Sequence, residues 1–255
     1  MKLKVVNTGS QNGNCYILEN DTEALILDTG CRYLDVLKSL DFNISKVCGV
    51  LLTHMHGDHS KTFKSFLTDG IPIYTNDETE DHFEIITGEK MYGMPEKIPF
   101  QSGLFKITPF YIPHTTKDKD TGKLISCPNF GFYIYHPDMG QLVYMTDFEY
   151  PTLSFRKSRI EHLLCEVNYC DELVAREEAN YSHRLQGHLS LNTFKEKVLN
   201  QNLTPTMQNI ILCHLSDSAA DEEQILREVK EIAGNRVNVN IAKAGLSVEL
   251  NRFPF

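Results

Sequence analysis

Four side chains able to bind a metal crowd into six positions: His54, His56, Asp58 and His59, all within Thr53-His-Met-His-Gly-Asp-His. They follow an apolar run, Val47 to Leu52, that reads as a buried strand. In extended backbone residues i and i+2 point the same way, so His54 and His56 leave the strand with both imidazoles on one side. Gly57 is expected to permit the sharp turn that follows. Asp58 and His59 then open a helix over 58–68 and point about 100° apart around it. One pair faces one metal and the second pair a neighbouring metal. Imidazole and carboxylate suit zinc, manganese or iron. The bland alternative is a polar turn with no task, and four donors packed behind one strand argue against it.

Two ions need more donors, including a carboxylate between them to hold them roughly 3.5–4 Å apart. Polar residues at the ends of apolar strands are the candidates. His114 ends Phe105-Lys-Ile-Thr-Pro-Phe-Tyr-Ile-Pro-His, Asp147 ends Leu142-Val-Tyr-Met-Thr-Asp, and His214 follows Ile210-Ile-Leu-Cys. Alone, each reads equally well as a turn histidine or a helix cap. With the heptad they make an expected set: His54, His56 and His114 on one metal, Asp58, His59 and His214 on the other, and Asp147 between them.

The elements that must position these residues alternate along the chain. Lys4–Thr8, Cys15–Leu18, Ala24–Asp28, Val47–Leu52 and Ile71–Tyr74 have strand patterns, with Gly9, Asn12-Gly13-Asn14 and Asn20-Asp21 as turn signals. Tyr33–Leu40 and 77–87 have helical patterns. Strands return at Leu104–Tyr111, Phe130–Tyr135 and Gln141–Met145, with a polar loop from Thr115 to Lys123 after the first. Helices near 171–180, 189–200 and 220–232 then alternate with strands near 161–165, 209–213, 237–241 and 246–250. No repeat or linker interrupts residues 1–255, so one domain is expected. Two β-rich halves, each followed by helices, suggest an α/β fold of two facing sheets with helices outside, a four-layer αββα sandwich.

Composition narrows the class. With 41% hydrophobic and 23% charged residues the chain is an ordinary globular sequence with room for a substantial core. No apolar run approaches the roughly 20 residues that span a membrane, and Met1-Lys-Leu-Lys-Val-Val enters a strand pattern at once, without the apolar stretch of an export signal. Seven scattered cysteines with no CxxC pair favour a reducing cytoplasm over disulfides or a zinc–cysteine site. The net charge of −9 gives no help to nucleic-acid binding, although bound cations reverse the field locally.

Taken together these residues resemble the metallo-β-lactamase superfamily. Ala24-Leu-Ile-Leu-Asp-Thr-Gly looks like its first motif, the heptad is its second, and His114, Asp147 and His214 match the third, fourth and fifth. The resemblance implies the αββα fold, a dinuclear metal site, and a buried Asp28 bracing the metal loop through hydrogen bonds. Oxygen-reducing di-iron members carry glutamate where this chain has His56, and ribonucleases with an inserted β-CASP domain need more than the 40 residues between Asp147 and His188. Glu166, in Leu163-Leu-Cys-Glu, and His188, in Gln186-Gly-His-Leu-Ser, look like the pair that relays a proton to the leaving oxygen in tRNA-processing zinc ribonucleases. Gly9-Ser, Gly13-Asn-Cys-Tyr, Gly187-His-Leu-Ser and Cys213-His-Leu-Ser are most similar to the YycJ/WalJ-like group of DNA exonucleases. That group carries Asp after the third-motif histidine, where this chain has Thr115.

The expected function is therefore hydrolysis of phosphodiester bonds in DNA or RNA by two divalent ions, zinc before manganese or iron. Asp58 binds metal and directs the attacking water; His188, oriented by Glu166, protonates the departing oxygen. His188 is expected to open a helix. Lys117, Lys119, Lys123, Arg184, the run Arg156, Lys157 and Arg159, and Tyr181 are candidate substrate contacts, against the plainer alternative of a solvated charged face. The competing functions are a carboxyl-ester, thioester or lactone hydrolase on the same scaffold, which the acidic charge favours, and a non-catalytic relative, which a full ligand set disfavours.

Overall fold

Strands with one wet face alternate apolar and polar residues, and strands buried on both faces run apolar throughout. Both kinds occur in the computed structural model of this chain, which describes residues 1–118, 121–174 and 181–252, leaving aside the side chains of 181–183. The first half forms β1 (Lys2–Asn7), β2 (Cys15–Glu19), β3 (Ala24–Leu27), β4 (Val47–Leu51), β5 (Ile73–Thr75) and β6 (Tyr92–Gly93). The second forms β7 (Phe100–Ser102), β8 (Phe105–Tyr111), β9 (Thr115–Lys117), β10 (Leu124–Ser126), β11 (Phe130–His136), β12 (Gly140–Met145), β13 (His162–Glu166), β14 (Asn209–Cys213) and β15 (Asn238–Ile241). A last strand, β16 (Ser247–Glu249), returns to the first half and pairs with β1.

Two seven-stranded sheets result, in the orders β16-β1-β2-β3-β4-β5-β6 and β15-β14-β13-β12-β11-β8-β7. Each has an antiparallel half and a parallel half; β3 to β6 are parallel in one, β12 to β15 in the other. The period-two rule sorts the side chains into layers. In β3, Leu25 and Leu27 enter the core between the sheets while Ile26 faces outward; in β14, Ile211 and Cys213 point inward while Ile210 and Leu212 point out. Phe105, Phe130, Phe132 and Tyr144 from the second sheet fill the central layer against Leu3, Tyr16, Leu18 and Leu51 from the first.

Helices cover both outer faces. Val36 of α1 (Tyr33–Ser39), Phe63 and Phe66 of α3 (Phe63–Thr68) and Phe83 of α4 (Asp77–Thr87) pack on the first sheet, with the short α2 (Gly57–Ser60) ahead of α3. The second sheet is covered by Leu191 of α6 (Leu191–Thr193), Phe194, Val198 and Leu199 of the π-helical stretch that continues it, the closing turn α7 (Asn200–Asn202), and Ile225 and Val229 of α8 (Glu222–Ala233). Between β13 and α6 lies α5 (Tyr181–Gly187). The layering is the expected αββα sandwich. Among the described residues no helix is long and apolar enough to cross a membrane, and all seven cysteines are free.

Two expectations change. The helix over 58–68 is two helices, because Thr62 turns its N–H to the Thr29 carbonyl and its hydroxyl to the carbonyls of Thr29 and Cys31. The polar loop from Thr115 to Lys123 is a hairpin, β9 against β10; Asp118 caps its turn by accepting the Thr121 N–H at 2.7 Å. Of the helix expected near 171–180, Asp171–Leu173 form a single turn, and 175–180 lie outside the described residues.

Candidate metal centre

The parallel halves of both sheets end at one edge, the usual place for a site in such sheets. Asp28 follows β3, His54 follows β4, Asp147 follows β12, Glu166 ends β13 and His214 follows β14. Asp28, Asp147 and His214 all have left-handed backbone, with φ of 60°, 54° and 54°. Such a conformation costs a non-glycine residue about 1–2 kcal/mol, so neighbouring contacts must hold it. The Asn129 amide does so for Asp147, donating to the carbonyls of Thr146 at 2.8 Å and Asp147 at 2.6 Å. The Asn168 amide donates to the His214 carbonyl at 2.9 Å.

The heptad is positioned by a crossing of three backbone segments. Asn14 N–H donates to the Asp58 carbonyl at 2.7 Å, Gly30 N–H to the Asn14 carbonyl at 2.9 Å, and Thr29 N–H to the His59 carbonyl at 2.6 Å. The approach is possible only because Gly13 and Gly30 lack side chains: a Cβ on Gly30 would lie 1.7 Å from the Asp58 oxygen, and one on Gly13 2.0 Å from the Gly30 oxygen. Gly57 is different from expectation. Its φ is not positive and a Cβ there meets nothing within 4 Å, so the turn does not require glycine.

Three groups of four donors converge among the described residues, the third being Asp147, Glu166, His188 and His214. His54, His56, His114 and Asp147 bring one ligand atom each within 4.8 Å of one another, and so do Asp58, His59, Asp147 and His214. The Asp147 carboxylate is shared: Oδ2 is 3.8 Å from His54 Nε2, while Oδ1 is 3.3 Å from His59 Nε2 and 3.4 Å from His214 Nε2. The second carboxylate, Asp58, has Oδ2 3.3 Å from His214 Nε2 and 3.5 Å from His59 Nε2.

The outward ring nitrogens have partners that set the tautomers. His59 Nδ1 meets Asp28 at 2.8 Å, His114 Nδ1 the Gly187 carbonyl at 2.9 Å, and His214 Nδ1 Glu166 at 3.0 Å. His54 Nδ1 lies 3.0 Å from the Thr53 hydroxyl, which itself donates to Asp28. Each Nδ1–H donates outward, so Nε2 is the nitrogen left to face the centre. Asp28 further accepts the Thr53 N–H and the Tyr144 hydroxyl.

This arrangement fits divalent cations. In the first group His54 Nε2 and His114 Nε2 stand 2.9 and 3.2 Å from His56 Nδ1. A proton on His56 Nδ1 points at only one of these nitrogens at a time, whereas a cation among the three meets all of them. Burial, reinforced by the neighbouring histidines, holds His54 well below the usual imidazole range, burial lowers His56, and burial pushes His114 down to about 3, so all three offer neutral nitrogen. The second group is more anionic. Burial opposes charge on His59 and His214, but Asp147, with Asp58 and Asp28 for His59 and with Asp58 and Glu166 for His214, outweighs it. His59 is held well above its ordinary value and His214 is raised to about 10. Burial likewise opposes ionisation of Asp147 and Asp58, yet the facing histidines keep both well below the usual carboxylate range. A field that draws protons so strongly draws metal cations for the same reason.

Beside the second group, Glu166 is fully buried and its Oε1 meets both His188 Nδ1 at 2.6 Å and His214 Nδ1 at 3.0 Å. Its Oε2 accepts the N–H groups of Phe148 and Leu189. Burial works against its ionised form, but His188 and His214 more than compensate and lower its pKa. His188 does not open a helix: it occupies the turn between α5 and α6, whose cap is Ser190. Its ring stacks on His214 with centroids 5.3 Å apart and lines a cleft of about 290 Å³ with Arg184 and Asn168.

Of the other expected contacts, Arg184 lines this cleft, whereas Arg156, Lys157 and Arg159 are exposed and line none of its wall. Lys117 lies on β9; Lys119 and the Tyr181 side chain fall outside the described residues. The residue sequence reasoning missed is Asn14, fully buried, whose amide is 3.1 Å from His59 Nε2. Its signals, a turn-like Asn12-Gly13-Asn14 and the Gly13-Asn-Cys-Tyr likeness, carried no pointer to His59.

Comparison with known proteins gives the family and the fold. Residues 8–142, which include the heptad and His114, match the Metallo-beta-lactamase superfamily. Exodeoxyribonuclease YycJ of Bacillus anthracis is 30% identical over 92 residues, covering 34% of this chain and 34% of that protein, so the match spans about a third of the relative's length. Among solved structures, the metallo-beta-lactamase fold protein YhfI of Bacillus subtilis superposes with a TM-score of 0.72 at 20% identity, covering 97% of this chain and 99% of that one. The short form of human tRNase Z gives 0.63 at 14% identity, covering 98% and 99%. At these identities the two structures speak for the fold.

Proposed function

The chain belongs to the metallo-beta-lactamase superfamily of metal-dependent hydrolases, and from that premise we propose that it is a phosphodiesterase acting on nucleic acid, within a single domain of residues 1–255 in the cytoplasm. The observation that carries the proposal is the Glu166–His188 contact at 2.6 Å, beside the donor groups and facing a cleft. A nucleoside alkoxide is a poor leaving group and needs a proton as its bond breaks, and a histidine steadied by a buried carboxylate is suited to give one.

The proposed ligands are His54, His56 and His114 for one ion and Asp58, His59 and His214 for the other, with Asp147 shared. Zinc suits this imidazole-rich set first, then manganese or iron. When bound, the ions acidify a water and neutralise charge on the phosphate. Asp58, with 21% of its side chain exposed, accepts a hydrogen bond from the attacking water. His188 gives its proton to the departing oxygen, and Glu166 fixes the ring through Nδ1. Asp28 keeps His59 in the tautomer whose Nε2 faces the centre.

A second reading, a carboxyl-ester, thioester or lactone hydrolase, has the net charge of −9 on its side, because phosphate polymers reward positive surface. Metal-analysed protein separates the two when assayed on bis-p-nitrophenyl phosphate, oligonucleotides and a thioester. Thioester turnover without diester cleavage would overturn the proposal. His188→Ala should lower diester turnover by about 100-fold or more with metal content kept; equal loss of metal and turnover would make His188 a ligand.

A further inference from the structure

The cleft beside His188 has walls that the chemistry at the metals does not use. At about 290 Å³ it lies at the small end of ligand pockets, and it is lined mainly by hydroxyls, amides and a guanidinium. Ser10 comes from the β1–β2 loop, Arg184 from α5, and Ser216 and Ser218 from the segment after β14. Arg184 Nη2 lies 3.5 Å from Ser218 Oγ, which lies 3.5 Å from Ser216 Oγ. This cluster is tied to the metal residues: Ser216 N–H donates to the Asn168 carbonyl at 2.8 Å, and the Asn168 amide donates to the His214 carbonyl at 2.9 Å. The cleft also continues. Leu215, Ser216 and Asp217 line a second groove of about 430 Å³ that extends to Lys243.

We propose that Arg184, Ser216 and Ser218 form a subsite for a second phosphate, carried by the leaving part of the substrate. The inference rests on the phosphodiesterase reading. Its direction follows from His188: the group that protonates the departing oxygen lines this cleft, so the departing part of the substrate lies in it. A guanidinium forks onto two phosphate oxygens, and hydroxyls add donors without adding charge. Asp217, the acidic residue in this wall, is exposed, where solvent and salt screen it. The substrate class is therefore a nucleotide chain whose leaving portion bears its own phosphate, rather than a diester of a plain alcohol.

The test uses the full chain loaded with metal. The dinucleoside monophosphate TpT carries one phosphate; pTpT and TpTp each carry a second, at opposite ends. One of the latter two should exceed TpT in kcat/KM by about tenfold or more, the worth of a charge-assisted phosphate contact. Arg184→Met should erase that preference, Arg184→Lys should restore part of it, and Ser216→Ala, which leaves α5 intact, should reduce it several-fold. A preference that survives Arg184→Met, or an equal loss on TpT, overturns the subsite. If metal-loaded protein cleaves no diester, the phosphodiesterase reading fails separately. Calorimetry then decides the subsite: thymidine bisphosphate should bind about tenfold tighter than the monophosphate, with the advantage lost in Arg184→Met, and equal binding overturns it.

Discussion

The carbonyl oxygen of Gly187 stands 2.9 Å from Nδ1 of His114, joining the end of α5 to the first donor group across 73 residues of chain. One residue earlier, the Gln186 carbonyl accepts the hydroxyl of Thr115 at 2.9 Å. One residue later, His188 meets Glu166. Three consecutive residues thus hold the first donor group, the β9–β10 hairpin and the proposed proton donor. Thr115→Val should cost about 1 kcal/mol of stability through the lost hydrogen bond and weaken the first ion about tenfold by loosening His114. Chelator competition should release that ion before the other; simultaneous release of both would show that α5 supports the whole centre.

Asp28 accepts hydrogen bonds from Thr53, His59 and Tyr144 without reaching the inward donor atoms. Asn tolerates the same left-handed backbone, so Asp28→Asn keeps the shape but removes the charge and puts an amide NH2 where a carboxylate oxygen accepts. Metal affinity should fall by about 10–100-fold, measured by competition with a chromophoric chelator. Unchanged affinity would reduce Asp28 to a packing role.

The two glycines near the heptad should behave in opposite ways. Gly30→Ala places a methyl against the Asp58 carbonyl; the loss should exceed about 3 kcal/mol, as for severe overpacking, or prevent folding. Gly57→Ala adds a methyl in open space within α2 and should stabilise by up to about 1 kcal/mol. Urea unfolding compares them directly, and similar costs at both positions would refute the assignment of the close approach to Gly30.

His162 sits at the far end of β13, with Nε2–H donated to the Met139 carbonyl at 2.9 Å and Nδ1 accepting from the Asn209 amide at 3.0 Å. Both nitrogens are satisfied only in the neutral ring, and burial pushes its pKa down to about 4. Because the folded value lies below the unfolded value of about 6.5, protonation favours unfolding. Stability from this group is complete above about pH 6.5 and is lost as pH falls toward 4, with about 3 kcal/mol at stake in the limit. By about pH 5 the stability gap between wild type and His162→Gln should have shrunk by about 2 kcal/mol. A gap constant from neutral pH to pH 5 would sink the idea.

Much of the donor cluster was legible because its residues sit where sequence patterns change. His114, Asp147 and His214 each close an apolar strand, and the heptad announces itself. The layers were legible from short apolar runs such as Ala24–Leu27, which mark strands buried on both faces. What remained hidden depends on contacts between distant segments. Nothing near Asn14 in sequence shows that its amide touches His59, and nothing near Gly30 shows that Asp58 crosses over it. Glu166 was found as a partner of His188, but its second bond, to His214, needed the parallel alignment of β13 and β14. The β9–β10 hairpin was missed because three lysines and two aspartates mask a short strand pair whose turn is set by the Asp118 side chain.

The pairing of β16 with β1, with Leu3 opposite Val248, bears on how the protein is made. The second sheet takes its edge strand β7 from residues just ahead of β8, so during synthesis each of its antiparallel partners emerges in turn. The first sheet, which carries the heptad, leaves the ribosome early and keeps β1 as an open edge until residues 247–249 follow. An unpaired edge is a template for unwanted pairing with other chains, and a contact that spans nearly the whole chain is slow to form. The sheet that carries the heptad is thus closed on its β1 side only by a strand some 240 residues further along the chain.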